Sequence, residues 1–297
     1  MARIVCGVGV PHTPNFPGVV ARLGSSCEVA RYFAAAKSAL DDSGVEIAII
    51  FTTDHLNTFF YDNYPVFAVG VADRTSGPND LNAITHTPTA GAENREGSAP
   101  ACEFPIYDVA SDSGFSAHLR NTAIHSGYDV SLVQNYEVDH SVIVPLHFLT
   151  PAMNIPVIPV FVNGHLPPLP SARRCFELGK VVRRAIETWP HDIRVGLIAS
   201  GSFSLEVFGP RIKPGDFVFG VPDSDWAARV EALLLAGKVE QLVEEATSER
   251  LANAGNVAGE LLNWIVMLGA LSAPKAEWIH GQREFGHAFA YFQEAPQ

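Results

Sequence analysis

An α/β fold is predicted, with a mainly parallel or mixed sheet flanked by helices and a helical C-terminal third. Three observations predict it. Short β-branched runs recur through the first two-thirds, and several are apolar on both faces, as strands buried between helix layers are. The segments between them place apolar residues at helical spacing. Strand–helix alternation of this kind builds sheets covered on both faces.

In order, the strand-like runs are 4–10, 45–51, 66–71, 130–134, 157–162 and 195–199. Helical spacing occupies 28–40, 116–126 and 171–188, then 223–236, 239–246 and 256–271. Residues 72–102 are rich in Gly, Ser, Thr, Asn and Pro and read as one long loop. No internal repeat and no convincing linker divides the chain, so 1–297 is expected to be one catalytic domain.

A hydrophobic content of 47% with 18% charged residues indicates a packed core. The net charge of −12 disfavours nucleic acid and anionic membrane surfaces as partners, because both would repel it. Cys6, Cys27, Cys102 and Cys175 lie far apart without a CxxC pair, so no cysteine metal site is expected. No secretory pattern opens the sequence and no run approaches a membrane span; a soluble cytoplasmic enzyme is the expectation.

In parallel sheets, ligands bind beyond the carboxyl ends of the strands. His12 directly follows the first strand in G-V-P-H-T-P, where two prolines fix the backbone around it. His55 follows the second in T-T-D-H, and His140 lies past the fourth in V-D-H. Each of these alone would read as a hydrogen-bonded loop histidine. Three at corresponding strand ends point to one shared rim. Asp54 and Asp139 precede two of them, placed to orient an imidazole. Glu260 stands in the otherwise apolar stretch G-E-L-L-N-W, where a carboxylate is costly unless paired, solvated or metal-bound. Two histidines and one carboxylate form the ligand set of O2-activating non-haem iron. The other histidines, His165 and His287 among them, show no ligand spacing and read mostly as structural or surface residues.

The motifs G-V-P-H-T-P, D-H-x-N-x-F-F-x-D-x-x-P-x-F, V-D-H-S-x-x-V-P-L and G-E-L-L-N-W, in this order, resemble the class III extradiol ring-cleavage dioxygenases. That group includes the catalytic beta subunit of protocatechuate 4,5-dioxygenase. The resemblance implies an Fe(II) cofactor held by His12, His55 and Glu260, with a small catechol-type aromatic and O2 as substrates. It implies a polar or acid–base role for His140 and contacts near the site from Thr13, Asn57 and Asn163. It also allows a homo-oligomer or a separate small subunit. One departure stands out. Where the family carries G-G-x-S-H, this chain reads G-S-F-S-L, with Leu205 at the position of the acid–base histidine. Leucine handles no proton, and such help is worth roughly 10²–10⁴-fold. Glu206, His140 or a bound water are the candidates to replace it. The alternatives are a metal-binding homologue with altered chemistry, such as a hydrolase, or a non-catalytic subunit.

Overall fold

The computed structural model describes residues 1–78, 105–211, 219–272 and 274–294. The chain opens with β1 (Arg3–Val10), α1 (Phe16–Leu23), α2 (Glu28–Asp42) and β2 (Ile47–Thr52). Then come β3 (Phe67–Gly70), β4 (Arg74–Gly77), β5 (Tyr107–Ala110), α3 (Ser113–His125), β6 (Ser131–Val133), α4 (His140–Leu149) and β7 (Val157–Val162). The second half holds α5 (Ala172–Thr188), β8 (Arg194–Ser200), β9 (Glu206–Val207), β10 (Phe219–Gly220), α6 (Ser224–Leu235), α7 (Val239–Glu245) and α8 (Ser248–Ala254). A 3-10 turn (Ala258–Glu260) leads into α9 (Leu261–Ala270), and β11 (Trp278–Gln282) and β12 (His287–Gln293) close the chain.

The main sheet runs β11-β12-β1-β8-β2-β7-β3-β6. Its centre, β1-β8-β2-β7, is parallel throughout. β12 pairs antiparallel with β1, and β3 antiparallel with β7, so the sheet is mixed. Every residue of β2 and β7 is buried. Period-two alternation sorts β2 between two cores. Ile47, Ile49 and Phe51 pack with α5 and α9, while Ala48 and Ile50 pack with α2 and α4. Each fully buried side chain of this size stabilises the fold by roughly 1.5–3 kcal/mol. α9 is buried on all sides, which explains its lack of a polar face.

Three features differ from the sequence expectation. Within 72–102, Arg74–Gly77 is a strand, paired antiparallel with β5. Its side chains are polar and Arg74 pairs with Asp108 across the ribbon, so no apolar periodicity announces it. The rest of that stretch, from residue 79 on, lies outside the described residues. Residues 256–271 do not form one continuous helix. Asn256 bonds sideways to β9, accepting from the Val207 N–H and donating to the Val207 carbonyl, and Val257 N–H donates to the Leu205 carbonyl. Those bonds turn the chain, and the helix restarts only at Leu261. The last third also supplies β11 and β12, which complete the sheet beside β1. Among the described residues, no helix is long and apolar enough to cross a membrane.

Candidate metal centre

The four parallel strands end on one rim, and each delivers polar residues there. β1 leads through Pro11 to His12, β2 to Asp54 and His55, β7 to Asn163 and His165, and β8 to Ser200 and Ser202. His140 is the first residue of α4, and Glu260 closes the 3-10 turn before α9.

These elements bring the two expected imidazoles onto one carboxylate oxygen. His12 Nε2 lies 3.1 Å and His55 Nε2 3.2 Å from Glu260 Oε1. Glu260 is only 2% exposed, so it is not the solvated glutamate that its pattern also allowed. The His140 ring stands 4.4 Å from that of His55 and 5.4 Å from that of His12, centroid to centroid. One ring nitrogen from each of His12, His55 and His140 lies within 4.8 Å of the others. This histidine cluster can coordinate a metal ion.

The hydrogen bonds behind the rings set their tautomers. Ser200 Oγ donates to the Ser141 carbonyl and is therefore left to accept from His12 Nδ1 at 2.8 Å. Asp139 Oδ2 accepts from the His55 backbone N–H at 2.7 Å and faces His55 Nδ1 at 3.2 Å. Each ring is thus held through Nδ1, which leaves Nε2 to offer its lone pair toward Glu260. The other carboxylate oxygen, Glu260 Oε2, accepts from the Ser202 N–H at 2.7 Å. Adjacent ligands on an octahedral ion with bonds of about 2.1 Å stand about 3 Å apart. The two distances to Glu260 Oε1 fit donors that share one ion.

Glycine makes the approach of these loops feasible. A Cβ at Gly201, whose φ is +152°, would sit 2.5 Å from Glu260 Cβ. At Gly164 it would meet the Gly259 carbonyl oxygen at 2.8 Å and Thr53 Oγ1 at 2.7 Å.

Electrostatics at this rim call for positive charge. Burial lowers the pKa of His12 more than Glu260 raises it. Burial also pulls His55 down, but bonds and charge from Asp139 and Glu260 outweigh it, and the pKa lies well above the ordinary value. Glu260 and Asp139 stay below the usual carboxylate range despite burial, because the histidines favour their charged forms. A proton on His55 or a metal ion answers the same demand, which is how metal binding competes with protons.

The remaining sequence candidates fall in distinct places. Asp139 serves His55, across from its own loop. Its Oδ1 accepts from the Ser141 N–H and hydroxyl. Asp54 caps its own loop instead, accepting from the N–H groups of Asn57, Thr58 and Phe59. Burial and the charge of Asp139 push its pKa up to about 6. Asn57 ties the same loop to the Glu137 carbonyl. Thr13 is half-buried beside His12, and its carbonyl accepts from Phe16. Asn163 Oδ1 accepts from the N–H groups of His165 and Leu166. Leu205 is half-buried, and its carbonyl accepts from Val257. Glu206 is buried, accepting from the Asn256 N–H and pairing with Arg211 at 3.2 Å. Its carboxylate is committed there.

Sequence reasoning overlooked Ser200 and Ser141, whose only signal is their place at a strand end or beside a histidine, and weighed Ser202 only as a nucleophile without the elbow pattern. It also set aside His165, whose ring lies 6.0 Å from that of His55. The signal there was its position after β7, the fourth parallel strand.

Residues 7–292 match the family described as the catalytic LigB subunit of aromatic ring-opening dioxygenase. The chain belongs to this family. Membership classes it as an extradiol ring-cleavage dioxygenase, an oxidoreductase, and the histidine cluster is able to hold a metal for such chemistry. Among its relatives, a 2,3-dihydroxyphenylpropionate/2,3-dihydroxicinnamic acid 1,2-dioxygenase of Paraburkholderia phymatum is 30% identical over 90% of each chain. One of the same description from Klebsiella pneumoniae is 27% identical over 91% of this chain and 94% of its own length. A gallate dioxygenase of Pseudomonas putida is 30% identical over 56% of this chain, and the match spans 47% of that enzyme. An uncharacterized Escherichia coli K12 protein of known structure shares the fold of this LigB-family chain at a TM-score of 0.56. That match has 12% identity and covers 98% of this chain and 100% of that one.

Proposed function

We propose that this chain opens the ring of a catechol-type aromatic with O2, using one Fe(II) held by His12, His55 and Glu260. The observation that carries this reading is the convergence of His12 Nε2 and His55 Nε2 on Glu260 Oε1, at 3.1 and 3.2 Å. Two imidazoles and a carboxylate on one face are the ligand set of non-haem iron oxygenases. Fe(II), when bound, supplies a redox-active Lewis acid that brings an aromatic diol and O2 together.

The chain's own residues do the rest. Ser200 and Asp139 hold the two imidazoles in the tautomer that leaves Nε2 unprotonated. The Ser202 N–H fixes the outer oxygen of Glu260, so the inner one faces the histidines. His140, close to both rings, is the acid–base residue beside the bound diol. Leu205, at the position the resemblance gives to the family's acid–base histidine, moves no proton. Glu206 does not take over, because it is bound to Arg211 and Asn256. Relatives named for gallate and 2,3-dihydroxyphenylpropionate support a diol ring that carries a polar side group.

A second ligand set, with His140 in place of Glu260, is suggested by the mutual approach of the three histidines. Iron content separates the two. After anaerobic loading, Glu260→Ala is expected to lose its iron, whereas His140→Ala keeps it and loses most O2 uptake with catechols. The opposite pattern would replace the carboxylate set by three histidines. Iron retained in both, with no uptake by the unaltered protein, would refute the reaction.

A further inference from the structure

We propose that His165 is a substrate-binding residue of this site, its open ring nitrogen hydrogen-bonding an oxygen of the bound aromatic diol. The proposal rests on the reading of the site as a diol-binding iron centre.

A histidine kept for structure spends at least one ring nitrogen on the protein. His118 Nε2 lies within hydrogen-bond distance of the Ala185 carbonyl and Thr188 Oγ1, and His287 Nε2 lies 2.8 Å from Gln282 Oε1. His165 does neither. Its Nδ1 is buried without a partner, and Nε2 also has none among the described residues. Because only Nδ1 is sealed from solvent, Nε2 is the nitrogen left open. The ring is nonetheless half-buried and packs 6.0 Å from that of His55.

The backbone around it is fixed. Asn163 Oδ1 accepts from the His165 N–H at 3.2 Å and from the Leu166 N–H at 2.9 Å, while Asn163 Nδ2 donates to the Leu166 carbonyl at 2.7 Å. Gly164 lies against Gly259, the residue before Glu260, too closely for a side chain. The loop is therefore packed directly against the turn that carries Glu260. A rigid loop, an unpartnered imidazole and an adjacent metal-binding histidine place a hydrogen-bonding group where a ligand is the partner still to come.

The test uses the full chain loaded with Fe(II), as wild type, His165→Phe and His165→Gln. The quantities read are iron content, the urea midpoint, anaerobic binding of unsubstituted catechol and of protocatechuate, and the KM and kcat of O2 uptake. Both variants are expected to keep full iron and the wild-type urea midpoint. His165→Phe should weaken catechol binding by about 10-fold or more, the loss of a hydrogen bond to a charged oxygen. His165→Gln, which keeps a donor at similar reach, should recover part of that loss. Unchanged catechol binding in His165→Phe overturns the proposal, and so does loss of iron in both variants. Weakened binding confined to protocatechuate, with catechol unaffected, assigns His165 to the side group and likewise overturns it. A wild-type protein that takes up neither iron nor catechol would refute the dioxygenase reading itself, and this proposal with it.

Discussion

Replacing Asp139 by asparagine tests how the site presents its lone pairs. The buried Asp139 carboxylate accepts on both oxygens. Oδ2 takes the His55 N–H at 2.7 Å and faces Nδ1 at 3.2 Å, and Oδ1 takes the Ser141 N–H at 2.9 Å and its hydroxyl. An amide has one accepting end. If its oxygen stays with Ser141, its NH2 faces two donors at His55, and the imidazole must turn Nδ1 into an acceptor. The ring proton then moves to Nε2, the atom 3.2 Å from Glu260, and that position can no longer ligate. If the amide flips, His55 keeps its tautomer, but the Ser141 N–H loses its acceptor at a cost of roughly 1–3 kcal/mol. Support of this kind behind a metal-bound histidine is typically worth 10–100-fold in metal affinity, about 1.4–2.7 kcal/mol. Asp139→Asn should therefore bind Fe(II) about 10–100-fold more weakly, measured anaerobically by competition with a chromophoric chelator. An iron affinity and a folding stability both equal to wild type would refute the tautomer argument and the place of His55 in the ligand set.

Gly201→Ala should destabilise the protein, since φ at +152° disfavours a side chain and the new Cβ would lie 2.5 Å from Glu260 Cβ. Strain and overpacking together cost about 2–5 kcal/mol, so calorimetry should show a fall of at least about 5 °C in Tm, and an unchanged Tm would refute the close approach. His287 is held down at about 3, by burial first and then by the charge of His12. Below its ordinary pKa of about 6.5 the unfolded chain takes up a proton that the fold refuses, so this group's stabilisation is full above that pH and is lost as pH falls toward 3. Urea titrations between about pH 7 and 5 should show His287→Gln losing less stability than wild type, by up to about 1.4 kcal/mol per pH unit; parallel losses would refute it. Leu205→His should raise kcat on simple catechols in O2-uptake assays if a proton-handling group is what this position lacks. No gain would mean that the pocket has been reorganised around leucine.

The α/β layout, most strand positions and the strand-end histidines His12 and His55 were legible in the sequence. Local pattern fixes them: buried parallel strands are apolar runs, and parallel topology puts their carboxyl ends on one rim. His140, by contrast, reaches that rim only through the loop that returns from β6, a strand running opposite to the parallel centre of the sheet. Glu260 was legible as an anomaly, a charge in an apolar stretch. What surrounds these residues was not. That Asp139 reaches across to His55 while Asp54 caps its own loop depends on how two strand-end loops cross in space, and adjacency in sequence suggested neither. Glu206 looked available until Arg211 and Asn256 were found to hold it. His165 resembled any loop histidine, because its lack of partners and its nearness to His55 exist only once β7 lies beside β2. The polar ribbon β4–β5 and the terminal strands were missed for a related reason, since their pairing partners lie elsewhere in the chain. Residue type and local spacing thus determined the fold class and the candidate ligands. Which nitrogen carries a proton, which carboxylate orients which ring, and which side chain waits unpartnered were decided by tertiary structure, because hydrogen bonds between distant segments set all three.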